Sequence, residues 1–157
     1  MAEIISLNFK NKHLPAPDTS LIGKKGEKLA ADFLKRKGYE LVLSNFKVPI
    51  GRNRLGVQIS GEIDIIAIEN NVLCFVEVKT RSSDEYSTPQ SAVDLRKQRQ
   101  ITRTARVYRK IFNLNKMKFR YDVVGIVLNG KKAPKIEIFK GFWTDEKFKK
   151  KFWMDEF

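Results

Sequence analysis

Two apolar runs separated by two asparagines constrain the fold of this chain most. The runs cover Gly61–Glu69 and Val72–Thr80, and the asparagine pair between them suits the two-residue turn of a β-hairpin. Such a turn pairs Glu69 with Val72 and fixes the register of the whole hairpin. Because side chains alternate along a strand, one face of the predicted hairpin is wholly apolar and belongs in the core. That face carries Ile63, Ile65, Ala67, Cys74, Val76 and Val78.

The same register gathers charged residues at the end of the hairpin away from the turn. Asp64 lies opposite Glu77, and Glu62 lies opposite Lys79. Two facing carboxylates repel each other and destabilise a sheet by up to about 1 kcal/mol. A hard cation such as Mg²⁺ would neutralise them, since it binds one or two carboxylates together with water and phosphate oxygens. Lys79 would then point at a phosphate or at the attacking water.

A structural alternative exists for each of these acids. The cluster is otherwise an edge hairpin with solvated acids, in which Glu62 and Lys79 form a surface ion pair. Glu62 is therefore either a further metal ligand or the partner of Lys79. Asp122 lies in an apolar strand pattern, YDVVGIV, where a buried carboxylate needs a partner. We predict that Asp122 is a structural anchor.

The order of the elements predicts an α/β fold with a central mixed β-sheet flanked by helices, α-β-β-β-α-β. The predicted elements are a helix at 18–37, a strand at 40–48, the two hairpin strands, a helix at 89–112 and a strand at 119–128. Residues 49–60, between the first two strands, are rich in Gly and Arg and are predicted to lack regular structure. In the first helix Glu27 lies beside the apolar stripe, so its carboxylate is either at the rim of the core or solvated.

The two ends of the chain are predicted to differ from this core. Residues 1–17 are predicted to form an N-terminal arm, residues 18–128 a single domain, and residues 129–157 a basic and aromatic C-terminal extension. The extension is predicted to hold a short strand at 136–139 and a helix from Thr144. Its aromatic residues either stack on unpaired bases or pack onto the domain or a second subunit. They are Phe142, Trp143, Phe148, Phe152 and Trp153.

The charge of the chain identifies the kind of partner. Its 157 residues include 31 Lys or Arg and 18 Asp or Glu, which gives a formal net charge of +13. A positive field of this size attracts polyanions, nucleic acid first and an anionic membrane surface second. No run approaches the roughly 20 apolar residues of a membrane span, and a single cysteine excludes an internal disulfide. We therefore expect a cytoplasmic protein that binds nucleic acid and no membrane.

The second predicted helix concentrates this positive charge, because no acid occurs between positions 95 and 121. Its face opposite the apolar stripe carries Arg96, Arg99, Arg103, Arg106 and Lys110. We predict that this ridge follows a phosphate backbone, with an ordinary solvated face as the alternative. The apolar stripe continues into Lys97 and Gln98, which either contact phosphate or water beside the acids or are solvated. Arg81, two positions after Lys79, is assigned to the same nucleic-acid surface.

These motifs match a known pattern. An acid on one strand and Glu-x-Lys on the next, here Asp64 and Glu77-Val78-Lys79, resembles the PD-(D/E)XK nuclease superfamily. The chain more narrowly resembles the YraN family, also called UPF0102, which is related to archaeal Holliday junction resolvases. The segments that carry this resemblance are GEKLAADFL at 26–34, GEIDIIA at 61–67, FVEVKTR at 75–81 and YDVV at 121–124.

The resemblance implies a restriction-endonuclease-like core and a nuclease site. Glu27 would support the metal or its water, Asp64 and Glu77 would bind the metal, and Lys79 would be the catalytic lysine. We predict a Mg²⁺- or Mn²⁺-dependent endonuclease that cleaves nucleic acid, DNA in preference to RNA, at branches, flaps or junctions. Symmetric cleavage of a junction would require a homodimer. The alternatives are a noncatalytic nucleic-acid-binding module with a nuclease-like fold and a basic adaptor that binds protein.

Overall fold

The structure, a computed structural model, describes residues 19–82 and 93–149. It is a mixed α/β fold in which an open sheet of five strands is flanked by helices. The helices are α1 (Thr19–Arg36) and α2 (Leu95–Ile111), and the strands are β1 (Glu40–Arg52), β2 (Gln58–Glu69), β3 (Val72–Ser82), β4 (Phe119–Leu128) and β5 (Lys135–Trp143). The predicted order α-β-β-β-α-β is confirmed, and β5, at the position of the short strand predicted at 136–139, follows it. The predicted arm at 1–17, the loop at 83–92 and the end of the C-terminal extension at 150–157 lie outside the described residues.

The sheet follows chain order, β1-β2-β3-β4-β5. Its first three strands are antiparallel, β3 and β4 are parallel, and β4 and β5 are antiparallel. The parallel pair requires a crossover, which α2 provides on one face of the sheet. Helix α1 covers the other face, so β2 and β3 are packed on both sides. None of the described helices is long and apolar enough to cross a membrane.

The predicted hairpin register is confirmed next to the turn. Asn70 and Asn71 have φ values of 50° and 63°, a left-handed conformation that asparagine tolerates and that this kind of turn requires. Paired residues run from Glu69–Val72 to Ile65–Val76, as the sequence predicts. Beyond that point the predicted alternation is wrong, because Ile63 packs in the core under α2 rather than beside Ile65 under α1.

Residues 49–60 also differ from the prediction. Instead of lacking regular structure, they extend β1 to Arg52 and begin β2 at Gln58, with a register shift between Pro49 and Gly51. Such a bulge bends a strand and increases its twist. The two strands therefore form an antiparallel projection, here called the β1–β2 arm (residues 49–60).

Helix α1 lies close on β3 because Gly26 faces Thr80. A Cβ atom added at Gly26 would lie 1.7 Å from Oγ1 of Thr80 and 2.8 Å from its Cβ. The end of α1 also follows the prediction, since Gly38 has a φ of 92° and Tyr39 donates its N–H to the carbonyl of Leu34 at 3.0 Å. This fit fixes the height of α1 above the strand that carries Glu77 and Lys79.

Replacing Gly26 by alanine should destabilise the protein by about 1–3 kcal/mol, because the new methyl group would push α1 away from β3. Gly23→Ala is the matched control on the same helix, since its added Cβ has no atom within 4 Å. That variant should be neutral or stabilised by up to about 1 kcal/mol, because alanine is the better helix former. Chemical denaturation measures both, and equal stabilities would contradict the close contact of α1 with Thr80.

A buried ionic network confirms the predicted anchor at Asp122. Its carboxylate accepts from Nε of Arg120 at 2.9 and 3.0 Å and from the hydroxyl of Tyr39 at 3.4 Å. Arg120 also contacts Glu69, which accepts from Nζ of Lys140 at 2.7 Å. Because these residues come from β2, β4, β5 and the turn that follows α1, the network joins the sheet to the helix end.

The described part of the C-terminal extension packs onto the sheet. Its predicted strand at 136–139 is the longer β5, and the predicted helix from Thr144 is a one-turn 3₁₀ helix at Asp145–Phe148. Trp143 stacks on Tyr121 with ring centroids 4.7 Å apart and donates to Oγ1 of Thr102 at 2.9 Å. Thus the aromatic residues at 142, 143 and 148 serve the core, whereas Phe152 and Trp153 lie outside the described residues.

Candidate active site

The candidate site lies where the paired part of β2 and β3 ends. Beyond the pair Ile65–Val76, Oδ2 of Asp64 accepts the backbone N–H of Val78 at 2.8 Å. The Asp64 side chain thus accepts a hydrogen bond from the backbone of β3, which holds its carboxylate against that strand. The predicted neighbours Asp64 and Glu77 come together here, near enough for the charge of Asp64 to raise the pKa of Glu77.

Glu77 is the most deeply buried acid of this cluster, with only 3% of its side chain exposed. Its Oε1 lies 3.3 Å from Nζ of Lys79 and 3.6 Å from Nζ of Lys97, whereas its Oε2 is buried with no hydrogen-bond partner among the described residues. Burial, followed by the charge of Asp64, raises the pKa of Glu77 far above its usual range, and the two lysines oppose this shift. The site therefore holds one carboxylate oxygen to which no described residue donates a hydrogen bond.

Glu27 approaches the same carboxylates from α1. Glu27 and Asp64 line one pocket of about 210 Å³ between α1 and the middle of β1 and β2. Burial raises the pKa of Glu27, the charge of Asp64 raises it further, and a hydrogen bond with Asn45 lowers it. Asp64 therefore interacts electrostatically with both Glu27 and Glu77.

A cation-lined cleft of about 510 Å³ adjoins the acids on the side of α2. Lys79 belongs both to this cleft and to the acid cluster, since it pairs with Glu77. The β1–β2 arm forms one wall and the first turns of α2 form the other. The lining residues are Ile50, Ile59, Lys79, Asp94, Arg96, Lys97, Arg99, Gln100 and Arg103. A polyanion lying in this cleft would meet five basic side chains next to the acids.

Two predicted nucleic-acid contacts lie in the interior instead. Gln98 is buried, where its amide donates to the carbonyl of Val93 at 2.9 Å and accepts from Nζ of Lys147 at 3.1 Å. Arg81 is buried as well, near the end of β3. Neither side chain reaches the surface that a nucleic acid would touch, so the predicted role of both as surface contacts is wrong.

The predicted arginine ridge divides into two parts. Arg96, Arg99 and Arg103 line the cleft, and Nη2 of Arg103 donates to the carbonyl of Ile50 at 2.7 Å. Arg106 instead lies beside the C-terminal extension, where its Nε is 3.3 Å from Oδ2 of Asp145. The part of the ridge available to a phosphate backbone is therefore the N-terminal half of α2.

The predicted pair of Glu62 and Lys79 is not formed. Lys79 pairs with Glu77 on its own strand, and Glu62 lies opposite Lys47 in the β1–β2 register. This difference has the same origin as the displaced Ile63, since β2 leaves its ladder with β3 before position 62. Glu62 still lies near enough to Glu27 to raise the pKa of that side chain.

Asn45 is a residue of the site that sequence reasoning missed. It lies opposite Asp64 in the β1–β2 register, has a φ of 53° and forms a hydrogen bond with Glu27. A non-glycine residue with positive φ inside a strand is uncommon, and asparagine tolerates it best. An asparagine in the middle of the apolar pattern of β1 is the one sequence signal that indicates this position.

Two of the acids, Asp64 and Glu77, have the chemistry of a Mg²⁺ ligand pair. Within the described residues no three His, Cys, Asp or Glu side chains converge as a ready-made metal site. Mg²⁺ usually takes only one or two carboxylates from the protein and completes its shell with water and phosphate oxygens. Asp64 and the unpartnered Oε2 of Glu77 supply that pair.

Comparisons with known proteins identify the family. The profile of the family described as "Uncharacterised protein family UPF0102" matches residues 26–126. The chain belongs to the UPF0102 family. The matched span of UPF0102 contains Glu27, Asp64, Glu77 and Lys79. Family membership by itself assigns no reaction.

Curated relatives agree with this assignment. A UPF0102 protein from Caldanaerobacter subterraneus is 40% identical over 111 residues, which cover 71% of this chain and 83% of the relative. One from Acetivibrio thermocellus is 43% identical over 116 residues, 74% of this chain and 82% of the relative. One from Chlorobium chlorochromatii is 34% identical over 142 residues, 90% of this chain and 98% of the relative. A solved structure entitled "Crystal structure of SSO0001" has a TM-score of 0.37 and 16% identity, and covers 84% of this chain and 56% of that chain.

Proposed function

We propose that this UPF0102 protein is a divalent-metal-dependent endonuclease that hydrolyses phosphodiester bonds in nucleic acid. The observation that carries the proposal is the buried Oε2 of Glu77, which has no partner among the described residues and lies beside Asp64. A buried carboxylate oxygen without a donor is costly even when the other oxygen is paired, and a bound cation would compensate that cost. The cation-lined cleft next to it suits a phosphate backbone.

Asp64 and Glu77 would hold Mg²⁺ or Mn²⁺. When bound, the ion would neutralise charge on the scissile phosphate and lower the pKa of the attacking water. The protein fixes both carboxylates in advance, Asp64 through the N–H of Val78 and Glu77 through Lys79 and Lys97. Such preorganisation reduces the reorganisation that the reaction would otherwise require.

Lys79 and Glu27 would act on the reacting groups from two sides. Nζ of Lys79 is half-exposed at the base of the cleft, where it can donate to a non-bridging phosphate oxygen or orient the attacking water. Glu27 lies in the pocket behind Asp64, and its raised pKa suits a group that accepts a proton from water. The two side chains therefore have different roles, charge stabilisation for Lys79 and proton transfer for Glu27.

The cleft would hold the substrate through its backbone. Arg96, Lys97 and Arg99 extend along the first turns of α2, and they contact phosphates without reading sequence. The proposed substrate is DNA with a branch, flap or junction, in keeping with the resemblance to junction resolvases. Cleavage of two related strands of a junction would require two copies of this site and hence a homodimer.

A substrate panel tests the proposal. Labelled duplex, single-stranded, flap and four-way DNA, with RNA versions of each, are incubated with the protein in Mg²⁺, in Mn²⁺ or in EDTA. We expect incision of branched DNA in either metal and none in EDTA, together with binding that weakens steeply as salt rises. Binding without incision under every metal would instead support a noncatalytic binding module. If the protein bound none of these probes at low salt, the protein-binding adaptor would be the remaining candidate function.

A further inference from the structure

The β1–β2 arm has a fixed tip rather than a loose loop. Oδ1 of Asn53 accepts the N–H groups of Leu55 at 2.9 Å and Val57 at 3.0 Å, and the backbone of Asn53 pairs with Val57 and Gly56. Nη1 of Arg52 donates to the carbonyl of Gly56 at 2.8 Å. The conformation of the tip is thus set by hydrogen bonds within the arm.

The arm is also fastened to α2, which forms the other wall of the cleft. Nη2 of Arg103 donates to the carbonyl of Ile50 at 2.7 Å, and Nε2 of Gln100 donates to the carbonyl of Ser60 at 3.1 Å. A Cβ added at Gly61 would lie 1.9 Å from Oγ1 of Thr104, so the base of the arm touches the helix. The arm, the helix and the cleft between them therefore form one unit.

The tip presents an apolar side chain to solvent among positive charges. Leu55 is 87% exposed, the largest value among the exposed large hydrophobic residues of the described chain. Arg52 and Arg54 flank it and are exposed, and no acid occurs between Glu40 and Glu62. An exposed leucine held at a fixed position costs the protein solubility and contributes nothing to its core.

We propose that Leu55 is a wedge that enters the base stack of a nucleic acid lying in the cleft, while Arg52 and Arg54 bind the flanking phosphates. Apolar side chains inserted between base steps unstack them and kink the duplex, and a branch point is where such insertion costs least. The wedge selects branched substrates for the proposed nuclease site, so this inference rests on the proposed function. The positive charge of Arg52 and Arg54 in the same tip, with no acid between Glu40 and Glu62, favours a polyanion over a second protein as the occupant.

The length of the arm sets where incision occurs relative to the wedge. Gln58, at the arm's end of β2, precedes Asp64 by six positions, and a strand rises about 3.3 Å per residue, so Gln58 lies roughly 20 Å from Asp64 along the strand and Leu55 lies beyond it. Duplex DNA rises about 3.4 Å per base pair, so the span from Gln58 to Asp64 corresponds to about six base pairs. Incision should therefore fall about six base pairs or more from the unstacked step.

Fluorescence of 2-aminopurine placed at the branch of a four-way DNA junction tests the wedge. In EDTA, where no strand is cut, wild-type protein should raise the fluorescence severalfold because the base leaves the stack. Leu55→Ala should remove this rise with at most a small loss of affinity, since the phosphate contacts remain. Leu55→Met should retain it, because methionine is also an apolar wedge. Leu55 is exposed, so both of its variants should fold normally.

Ile111→Ala is the matched control, an exposed aliphatic residue at the far end of α2 from the cleft. It should behave as wild type. Equal fluorescence for Leu55→Ala and wild type would overturn the wedge and leave the proposed function standing. If Leu55→Ala changed the sedimentation of the protein but not the fluorescence, the tip would be a protein contact. That result would also overturn the wedge. If wild-type protein binds no nucleic acid, the proposed function fails and the wedge fails with it.

Discussion

Replacing Lys79 by methionine should slow incision by about 10²–10³-fold, as removal of one preorganised charge stabiliser does in other hydrolases. Methionine keeps most of the aliphatic stem of lysine, so the packing against β3 should change little. What is lost is the ammonium group, which lies 3.3 Å from Glu77 at the base of the cleft. The effect should appear in kcat because the group acts on charge that develops in the transition state.

Binding of the substrate by Lys79→Met should change far less than incision. At most one phosphate contact is removed, so the plot of log affinity against log salt should become shallower by about one unit of slope. Lys135→Met is the control, because Lys135 is an exposed lysine on β5 whose one ion pair within the described residues is with Glu137. Single-turnover kinetics with saturating protein separate the two effects. If Lys79→Met cut the substrate at the rate of the control, Lys79 would have no role in the reaction.

Replacing Arg120 by methionine should lower the free energy of unfolding by about 3–5 kcal/mol, the largest loss of stability expected for this protein. Arg120 holds the fully buried carboxylate of Asp122 and also contacts Glu69 and Tyr39. Without the guanidinium, Asp122 remains a buried negative charge with no cation beside it. For a chain of this size the melting temperature should fall by about 2–4 °C for each kcal/mol.

Two further variants distinguish this mechanism from a general loss of packing. Arg106→Met removes an arginine whose side chain is 41% exposed and whose partner is Asp145, so it should cost only about 0–1 kcal/mol. In the double variant Arg120→Met with Asp122→Asn, the stranded charge is gone, and stability should recover part of the loss. A double variant that is less stable than Arg120→Met alone would contradict the account of this network.

The sequence predicts those features of the fold that depend on neighbouring residues. The turn at Asn70 and Asn71 follows from their tolerance of positive φ, and the register near the turn follows from it. The end of α1 follows from Gly38, and the anchoring role of Asp122 follows from a charge in an apolar strand. Each of these needs only local rules about side-chain alternation, capping and burial.

What the sequence could not predict begins where β2 and β3 stop pairing. A register carried past that point by alternation alone puts Lys79 opposite Glu62, whereas the structure pairs it with Glu77. There the N–H of Val78 donates to the Asp64 side chain, and no periodicity contains that contact. Alternation along the strands therefore does not predict the contacts among Asp64, Glu77 and Lys79.

Burial depth is the other property that periodicity cannot give. Gln98 and Arg81 have positions that suit contact with a nucleic acid, and both are covered by segments distant in sequence. Gln98 is held partly by Lys147, which comes from the C-terminal extension. A helical wheel shows the direction of a side chain but not what packs over it.

The most direct test of the metal-dependent site is incision of a labelled four-way DNA junction by wild type and by Asp64→Asn, in Mg²⁺ and in EDTA. Asparagine keeps an oxygen that can accept the N–H of Val78, so the variant should fold and bind while its site loses the charge that would hold the metal. Glu137→Gln, a change of an exposed acid on β5, serves as the control. The account predicts incision by wild type and by the control in Mg²⁺ alone, and none by Asp64→Asn. Equal incision by Asp64→Asn, or incision by wild type in EDTA, would contradict it.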